Sequence, residues 1–478
     1  MRRLARVVCP LLVLLALAHP AMTGAWADTP AAKASTWTST TAAQRAEITQ
    51  LAEPYKRFLA AARTAQRATR EEVKLAEQAG FVPFREASQC RPGARLIFSA
   101  HDRAVVLVVV GSTPIVAGSR VVAAHHDSPH IDLKGRPVLA AGEFAIFKTI
   151  YYGALKKYQW ANLPLALVGR IDTAEGRIVE VSLGLVPGQP VFVIPDNAPH
   201  SDKDLRTRTY ADVLAGEEMD PVAGSIPGVK TSVADEVLAS LRQAYGVKDA
   251  DLVSAELQLV PAAAPADVGL DRGLIGSCGQ DDRLSAWCAA RAITEVKGTP
   301  ALTVMAWISN NEEVGSINNS GAASTFLTST YVELVAAQQG DRYRDLDLRH
   351  ALRAAQVVSA DCCDGVNPLF PQTSEASNAA RLGGGVALKL YGRGFNANAE
   401  YIARIRRVLD QAGIPWQTQT PKVDIGGGGT IGGFMSAVEM EVIDVGVPLL
   451  SMHSPFELSS KIDVWNLYRF MKAFYAAR

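Results

Sequence analysis

The chain has 478 residues, of which 48% are hydrophobic, and its 48 acidic residues balance its 48 basic residues. This length is sufficient for two or three domains with a large buried core. The balanced charge argues against nucleic-acid binding, which is typical of proteins with a basic excess.

The first 27 residues have the three parts of a secretory signal. A positive start with three arginines precedes an apolar run at 7–18, and an Ala-Trp-Ala cleavage motif occupies 25–27. The run is too short for a membrane anchor, and no later apolar stretch is long enough to cross a bilayer. We therefore expect residues 1–27 to be removed and the mature protein to be exported, periplasmic or secreted, without membrane attachment.

Helical and strand patterns follow in the segment 28–132. Residues 43–79 are rich in strong helix formers with apolar residues at helical spacing, and Pro54 predicts a break between two helices. Residues 96–98 and 105–110 are predicted strands. This segment is the first part of a predicted α/β domain that resumes at residue 261 and continues to residue 478.

The intervening segment, 133–260, has a different character. Short apolar runs such as 163–168, 177–182 and 190–194 are separated by turn residues, and 235–245 is a predicted helix. This pattern predicts a separate, mostly-β domain inserted into the chain.

Two adjacent acids follow a predicted central strand. The uncharged run 301–308 is typical of a strand buried on both faces of a parallel sheet, and Glu312 and Glu313 come directly after it. Ligand sites in such sheets lie at the carboxyl ends of strands. Two neighbouring carboxylates repel each other there, and a metal bound by one of them would offset that cost. A plain acidic surface loop is the alternative.

Five segments place a metal-capable side chain after an apolar strand or just before a helix. Two imidazoles and three carboxylates suit zinc, or manganese and cobalt, better than calcium or magnesium. With one residue bridging, each of two metals would have three protein ligands, and such a pair can polarise a carbonyl and activate a shared water. Glu312, beside a ligand but not itself one, would be the general base. The five residues are His125, Asp281, Glu313, Asp361 and His453.

Eight short motifs carry a resemblance to a known family. They are AHHDSP at 124–129, KTIYYG at 148–153 with KYQW at 157–160, QDDR at 280–283, NEEVGS at 311–316, SAD at 359–361, DIGGGGTI at 424–431 and MHSPFE at 452–457. In their order and spacing these motifs resemble the aspartyl aminopeptidase family of metalloaminopeptidases, its bacterial branch in particular. The resemblance extends from about Leu51 to Phe474.

The resemblance implies an α/β fold of the zinc exopeptidase type. Such a fold has a mixed, mainly parallel sheet flanked by helices, here with an inserted mostly-β domain. The implied activity is that of a two-zinc aminopeptidase acting on peptides. By position, His125 and Asp361 would hold one zinc ion, Glu313 and His453 would hold the other, and Asp281 would bridge them.

The resemblance also implies roles for residues outside the metal set. Glu312 matches the catalytic base, and Asp127 matches the carboxylate that orients His125. The inserted domain would build a homo-oligomer, usually a dodecamer, in which His200 reaches a neighbour's active site. Gly428 and Thr430 are candidate substrate-binding residues, because glycines at 426–429 let a backbone approach the substrate closely.

Two departures from the family pattern bear on substrate preference more than on catalysis. Asn310 stands where many members carry Asp, and the residues after Asp361 replace a His-rich stretch. The preference for acidic or neutral N-terminal residues therefore stays open. Three other functions stay open as well: a two-metal deacylase or dipeptidase on the same scaffold, a non-catalytic secreted metal-binding protein, and a structural shell-forming assembly.

Overall fold

A computed structural model describes residues 35–392 and 395–477. The predicted signal, 1–27, lies outside the described residues, so its cleavage and the export of the protein stay predictions. Within these two ranges, no helix combines the length and the apolar character needed to cross a bilayer.

The described residues form strands and helices in alternating groups. The strands are β1 (Val82–Pro83), β2 (Arg95–Ala100), β3 (Ala104–Val109), β4 (Ser119–His125), β5 (His130–Ala141), β6 (Phe144–Tyr152), β7 (Leu165–Asp172), β8 (Ile178–Leu183), β9 (Val222–Gly224), β10 (Ala255–Pro261), β11 (Ala266–Val268), β12 (Leu274–Ser277), β13 (Thr303–Ser309), β14 (Ala355–Ala360), β15 (Cys363–Asp364), β16 (Val386–Lys389), β17 (Trp416–Gln419), β18 (Glu441–Gly446), β19 (Pro448–Leu450) and β20 (Glu457–Ser460). The helices are α1 (Ala42–Ala61), α2 (Ala65–Gln78), α3 (Val233–Tyr245), α4 (Gln280–Thr294), α5 (Phe326–Gln339), α6 (Asp345–Arg353), α7 (Ala399–Gln411), α8 (Gly432–Ser436) and α9 (Lys461–Ala476).

A nine-stranded mixed sheet lies at the centre, in the order β1-β2-β3-β13-β4-β14-β18-β16-β17. The four adjacent strands β13, β4, β14 and β18 run parallel, whereas β3 and β16 run antiparallel to their inner neighbours. Every residue of β4 and β13 is buried, as their apolar sequences predict. The carboxyl ends of these parallel strands therefore meet at one edge of the sheet.

Helices cover both faces of this sheet, which confirms the predicted α/β fold. The apolar side chains of α1, α2, α4, α7 and α9 pack on one face. Those of α5, α6 and α8 pack on the other.

The predicted helix break at Pro54 is wrong. α1 continues through Pro54, and the chain breaks only before Thr64, whose side chain caps the start of α2. A proline inside a helix removes one backbone hydrogen bond. Tyr55, Phe58 and Leu59 are buried just after it, and this packing offsets the loss.

A six-stranded antiparallel sheet is built from the segment between His130 and Pro261, in the order β8-β7-β10-β5-β6-β9. It has its own apolar core, which includes Phe147 and Trp160. The predicted strand at 190–194 forms only isolated bridges. That this segment is a separate domain for assembly stays a prediction. A third sheet, in the order β11-β12-β20-β19-β15, carries the loop that precedes β20.

Candidate metal centre

The five predicted metal ligands lie at the ends of neighbouring elements. His125 is the last residue of β4, Asp361 directly follows β14, and Glu313 lies in the turn after β13. Because these strands are adjacent and parallel, their ends bring the three side chains together. Asp281 comes from the first turn of α4, and His453 follows β19 with a left-handed backbone conformation (φ 63°).

The side-chain atoms of these residues converge. His125 Nε2 lies 3.8 Å from an oxygen of Asp281 and 3.8 Å from an oxygen of Asp361. His453 Nε2 lies 3.2 Å from the other oxygen of Asp281 and 3.4 Å from Glu313 Oε2. Asp281 thus presents one carboxylate oxygen to each histidine. The residues form two groups that share Asp281, and their roles as ligands stay predictions.

Two carboxylate oxygens of this cluster are buried without a protein partner. Among the described residues, Asp281 Oδ1 and Glu313 Oε1 accept no hydrogen bond. Burial raises the pKa of Glu313 above its usual range and that of Glu312 to about 7, and neighbouring carboxylates add to both shifts. Buried, mutually repelling carboxylates need a cation to offset their cost. Together with two imidazoles, they fit a zinc site.

Neighbouring carboxylates stabilise the charged form of both histidines. Burial disfavours their charged form, but the carboxylates of Asp281 and Glu313 raise the pKa of His453 to about 10. Burial acts against protonation of His125 in the same way, but Asp127 and Asp361 raise its pKa well above the usual range. A cluster that attracts protons this strongly also attracts metal ions, which bind the same atoms in competition with protons.

Glu312 and Asp127 adjoin the predicted ligands. Glu312 Oε2 lies 3.9 Å from His125 Nε2, and its side chain is 18% exposed. The two oxygens of Asp127 accept the backbone N–H groups of Glu312 and Glu313, both at 3.1 Å, and one of them lies 3.3 Å from His125 Nδ1. Burial opposes ionisation of Asp127, but His125 and the hydrogen bonds lower its pKa to about 2. Asp127 thus links His125 to the turn that carries both glutamates.

Sequence reasoning missed two charged residues beside Asp361. Asp282, the second acid of the QDDR motif, could hold a metal together with His125 and Asp361. The ammonium of Lys389, at the end of β16, lies 3.0 Å from Asp361 Oδ2, and the Lys389 side chain is only 14% exposed. Burial disfavours ionisation of Asp361, but Lys389 and His125 hold its pKa below the usual range. The sequence signal that could have revealed Lys389 is its position as a lysine at the end of an apolar strand.

Glu457 was also missed, although it ends the MHSPFE motif. Its buried carboxylate accepts the backbone N–H of His453 at 2.7 Å and that of Asp281 at 3.3 Å. Glu457 therefore connects two segments that carry predicted ligands.

The cluster opens into a cavity of about 1250 Å³. Gly428 and Thr430 lie on its wall, and the Thr430 hydroxyl donates to Asp444 Oδ2 at 2.8 Å. Their predicted role in substrate binding stays a prediction. His200 is exposed and, within the described part of this single chain, does not lie on the cavity wall.

Comparison with known proteins gives a consistent result. A family model described as aminopeptidase I zinc metalloprotease (M18) matches residues 58–475. A probable M18 family aminopeptidase 1 of Borrelia garinii subsp. bavariensis is 34% identical over 455 residues, 93% of this chain and 99% of the relative. The structure of an M18 family aminopeptidase from Thermotoga maritima, 35% identical, matches 92% of this chain and 98% of its own with a TM-score of 0.87. At 20% identity, the S. cerevisiae mApe1 dodecamer shares the fold over 89% of this chain and 96% of its own, with a TM-score of 0.72.

Proposed function

Since the chain belongs to the M18 family of zinc metalloproteases and is a zinc-dependent aminopeptidase, we propose that it removes N-terminal residues from peptides with two zinc ions per subunit. Manganese or cobalt could replace zinc, because the same mixed ligands suit them. One observation carries this proposal: two histidines and three carboxylates converge, and two of the carboxylate oxygens lack a partner among the described residues.

In this proposal, each side chain has a defined task. His125 and Asp361 hold one ion, Glu313 and His453 hold the other, and Asp281 bridges them. When bound, two zinc ions polarise the scissile carbonyl and lower the pKa of a water molecule.

Glu312 supplies the proton transfer in the same proposal. Its carboxylate takes the proton of the attacking water and gives it to the departing amine. Asp127 Oδ1 accepts a hydrogen bond from the backbone N–H of Glu312 at 3.1 Å, and this bond holds the base at the cavity.

The substrate's free amine separates this function from a deacylase. We expect unblocked aminoacyl substrates to be hydrolysed and their N-acetylated forms to be inert, with activity lost to a chelator and restored by zinc. A panel with zinc, manganese and cobalt measures both properties. Hydrolysis of only the acetylated forms would support the deacylase, and no hydrolysis of either would leave a metal-binding protein or a shell.

The same panel tests the side chain of the N-terminal residue. The resemblance to the aspartyl aminopeptidase family suggests acidic residues, and Lys389 is a cation on the cavity wall whose side chain is mostly shielded from solvent. Its ammonium, however, contacts Asp361 Oδ2 and the carbonyls of Asp361 and Cys362, at 3.0–3.3 Å. An acidic substrate would have to compete with Asp361. We therefore expect neutral N-terminal residues to be cleaved at least as fast as acidic ones.

We further propose that the protein is a homo-oligomer, with twelve subunits by family resemblance. The six-stranded sheet supports this proposal, because it exposes large apolar side chains such as Phe144, Ile150 and Tyr151, which are 46%, 55% and 46% exposed. Light scattering at micromolar concentration should show an assembly much larger than a monomer.

In this proposal, His200 of one subunit contributes to the active site of a neighbouring subunit. If it donates a hydrogen bond to the substrate carbonyl of a neighbour, His200→Ala should lower turnover about a hundredfold while the metals and the oligomer are retained. Mixing His200→Ala subunits with inactive Glu312→Gln subunits should restore partial activity, since some sites would then combine intact residues from two chains. No recovery despite proven subunit exchange would contradict a shared site.

A further inference from the structure

The end of β6 meets the candidate metal centre at three successive residues. The hydroxyl of Tyr152 donates to Asp127 Oδ2 at 2.8 Å. The carbonyl of Ala154 lies 2.8 Å from His453 Nδ1, which donates to it because a carbonyl can only accept. Between them, Gly153 packs so closely that an added Cβ would lie 3.3 Å from Glu313 Cβ.

We propose that Tyr152–Ala154 is a positioning element through which the six-stranded sheet sets the geometry of the metal centre. This inference rests on the proposed function. The bond from His453 Nδ1 to Ala154 turns the ring so that Nε2 faces Asp281 and Glu313, at 3.2 and 3.4 Å. A partner on the second ring nitrogen of a metal-binding histidine commonly fixes its orientation in this way.

Tyr152 acts on the other half of the centre through Asp127. The carboxylate of Asp127 accepts hydrogen bonds from the backbone N–H groups of Glu312 and Glu313, which form the catalytic turn. It accepts a third hydrogen bond from the Tyr152 hydroxyl. With the hydroxyl in place, the carboxylate has one orientation that satisfies all three donors. Removal of the hydroxyl leaves Asp127 free to tilt, and the catalytic turn with it.

The six-stranded sheet holds the phenol ring in place. Tyr152 pairs with His130 across β5 and β6, and the two rings stack with centroids 4.4 Å apart. His130 is in turn held by Asp132, whose Oδ1 lies 3.0 Å from Nε2. The hydroxyl is therefore placed by a hydrogen-bonded strand pair that contributes no predicted metal ligand.

Tyr152→Phe tests the hydroxyl alone, because the ring and its stacking partner remain. We expect kcat to fall by about tenfold, the size of a charge-assisted hydrogen bond. We expect KM and zinc content to stay at parental values, and the melting temperature to fall modestly because a hydrogen bond to a buried carboxylate is lost. The matched control is Tyr151→Phe, the adjacent and 46% exposed tyrosine, which should keep the parental kcat. A Tyr152→Phe enzyme with the parental kcat would overturn this part of the proposal.

Gly153→Ala displaces the Tyr152–Ala154 segment from the metal centre without removing a polar group. Gly153 has φ 76°, and the new methyl would lie 3.2 Å from Pro129 Cγ and 3.3 Å from Glu313 Cβ, tighter than ordinary contact. Gly142 in the β5–β6 turn is the matched control, because it has φ 60° but nothing within 4 Å. Both substitutions carry a similar backbone cost because both positions have positive φ, so a larger fall in melting temperature for Gly153→Ala than for Gly142→Ala reports the added contacts with Pro129 and Glu313.

Only Gly153→Ala should disturb the metal centre. We expect it to lose zinc to a chelator at least about tenfold faster than the parent, as for loss of a contact that orients a ligand, and to lose turnover. Gly142→Ala should match the parent in both measurements. Equal zinc retention in the two variants would overturn the proposal. A parent enzyme without aminopeptidase activity would instead refute the proposed function, while the rate of zinc loss would still test the positioning element.

Discussion

Glu313→Ala is expected to leave a folded protein that has lost metal and measurable turnover. Glu313 Oε2 lies 3.4 Å from His453 Nε2, and its other oxygen is buried without a partner among the described residues. Without this carboxylate, the proposed second site keeps only His453 and a share of Asp281. Catalytic zinc sites typically have three protein ligands, so occupancy should collapse. Elemental analysis gives the metal content, and hydrolysis of an unblocked aminoacyl substrate gives the rate.

A folding defect is separable from this loss of metal. Burial and neighbouring carboxylates raise the pKa of Glu313, so its removal relieves repulsion in the metal-free protein. Metal-free Glu313→Ala should therefore melt no lower than the metal-free parent. The control Glu375→Ala removes a carboxylate from the same cavity wall, one that bonds to Ser377 and Asn378, and should keep both metals. If both metal sites were fully occupied in Glu313→Ala, the assignment of Glu313 as a ligand would be wrong.

The ends of the strands could be predicted because the sequence changes character there. Apolar runs stop at His125, before Asp361 and before the Glu312–Glu313 pair, and the structure ends β4, β14 and β13 at or just before these positions. Parallel pairing then brings the ends together. A local pattern was sufficient because one edge of one sheet collects all of these residues.

The contacts that orient those residues could not be predicted in this way. Ala154 and His453 are 299 residues apart in the chain, and Asp281 and Glu457 are 176 apart. Neither periodicity nor composition reports such pairs, because they depend on how three sheets pack. The antiparallel direction of β3 and β16 was unpredicted for a similar reason: the apolar runs are the same for either direction.

Glu312→Gln is expected to reduce turnover by at least about a hundredfold, the lower range for loss of a general base. The amide has the shape of the carboxylate but cannot accept the proton of the attacking water. Glu312 lines the cavity and is partly exposed to it, so its carboxylate can reach a water molecule there. Because it is not a proposed ligand, both metals should be retained. Steady-state kinetics and elemental analysis on one preparation measure both outcomes.

Glu312→Asp distinguishes a proton acceptor from a shape requirement. It keeps the carboxylate but withdraws it by one methylene, so turnover should fall between the parent and Glu312→Gln, again with full metal content. The backbone N–H of residue 312 still donates to Asp127 in both variants, so the turn should be unchanged. If Glu312→Gln turned over at the parental rate with both metals bound, another group would have to take the proton. Asp127 could not readily replace it, because its oxygens already accept from Glu312, Glu313 and Tyr152.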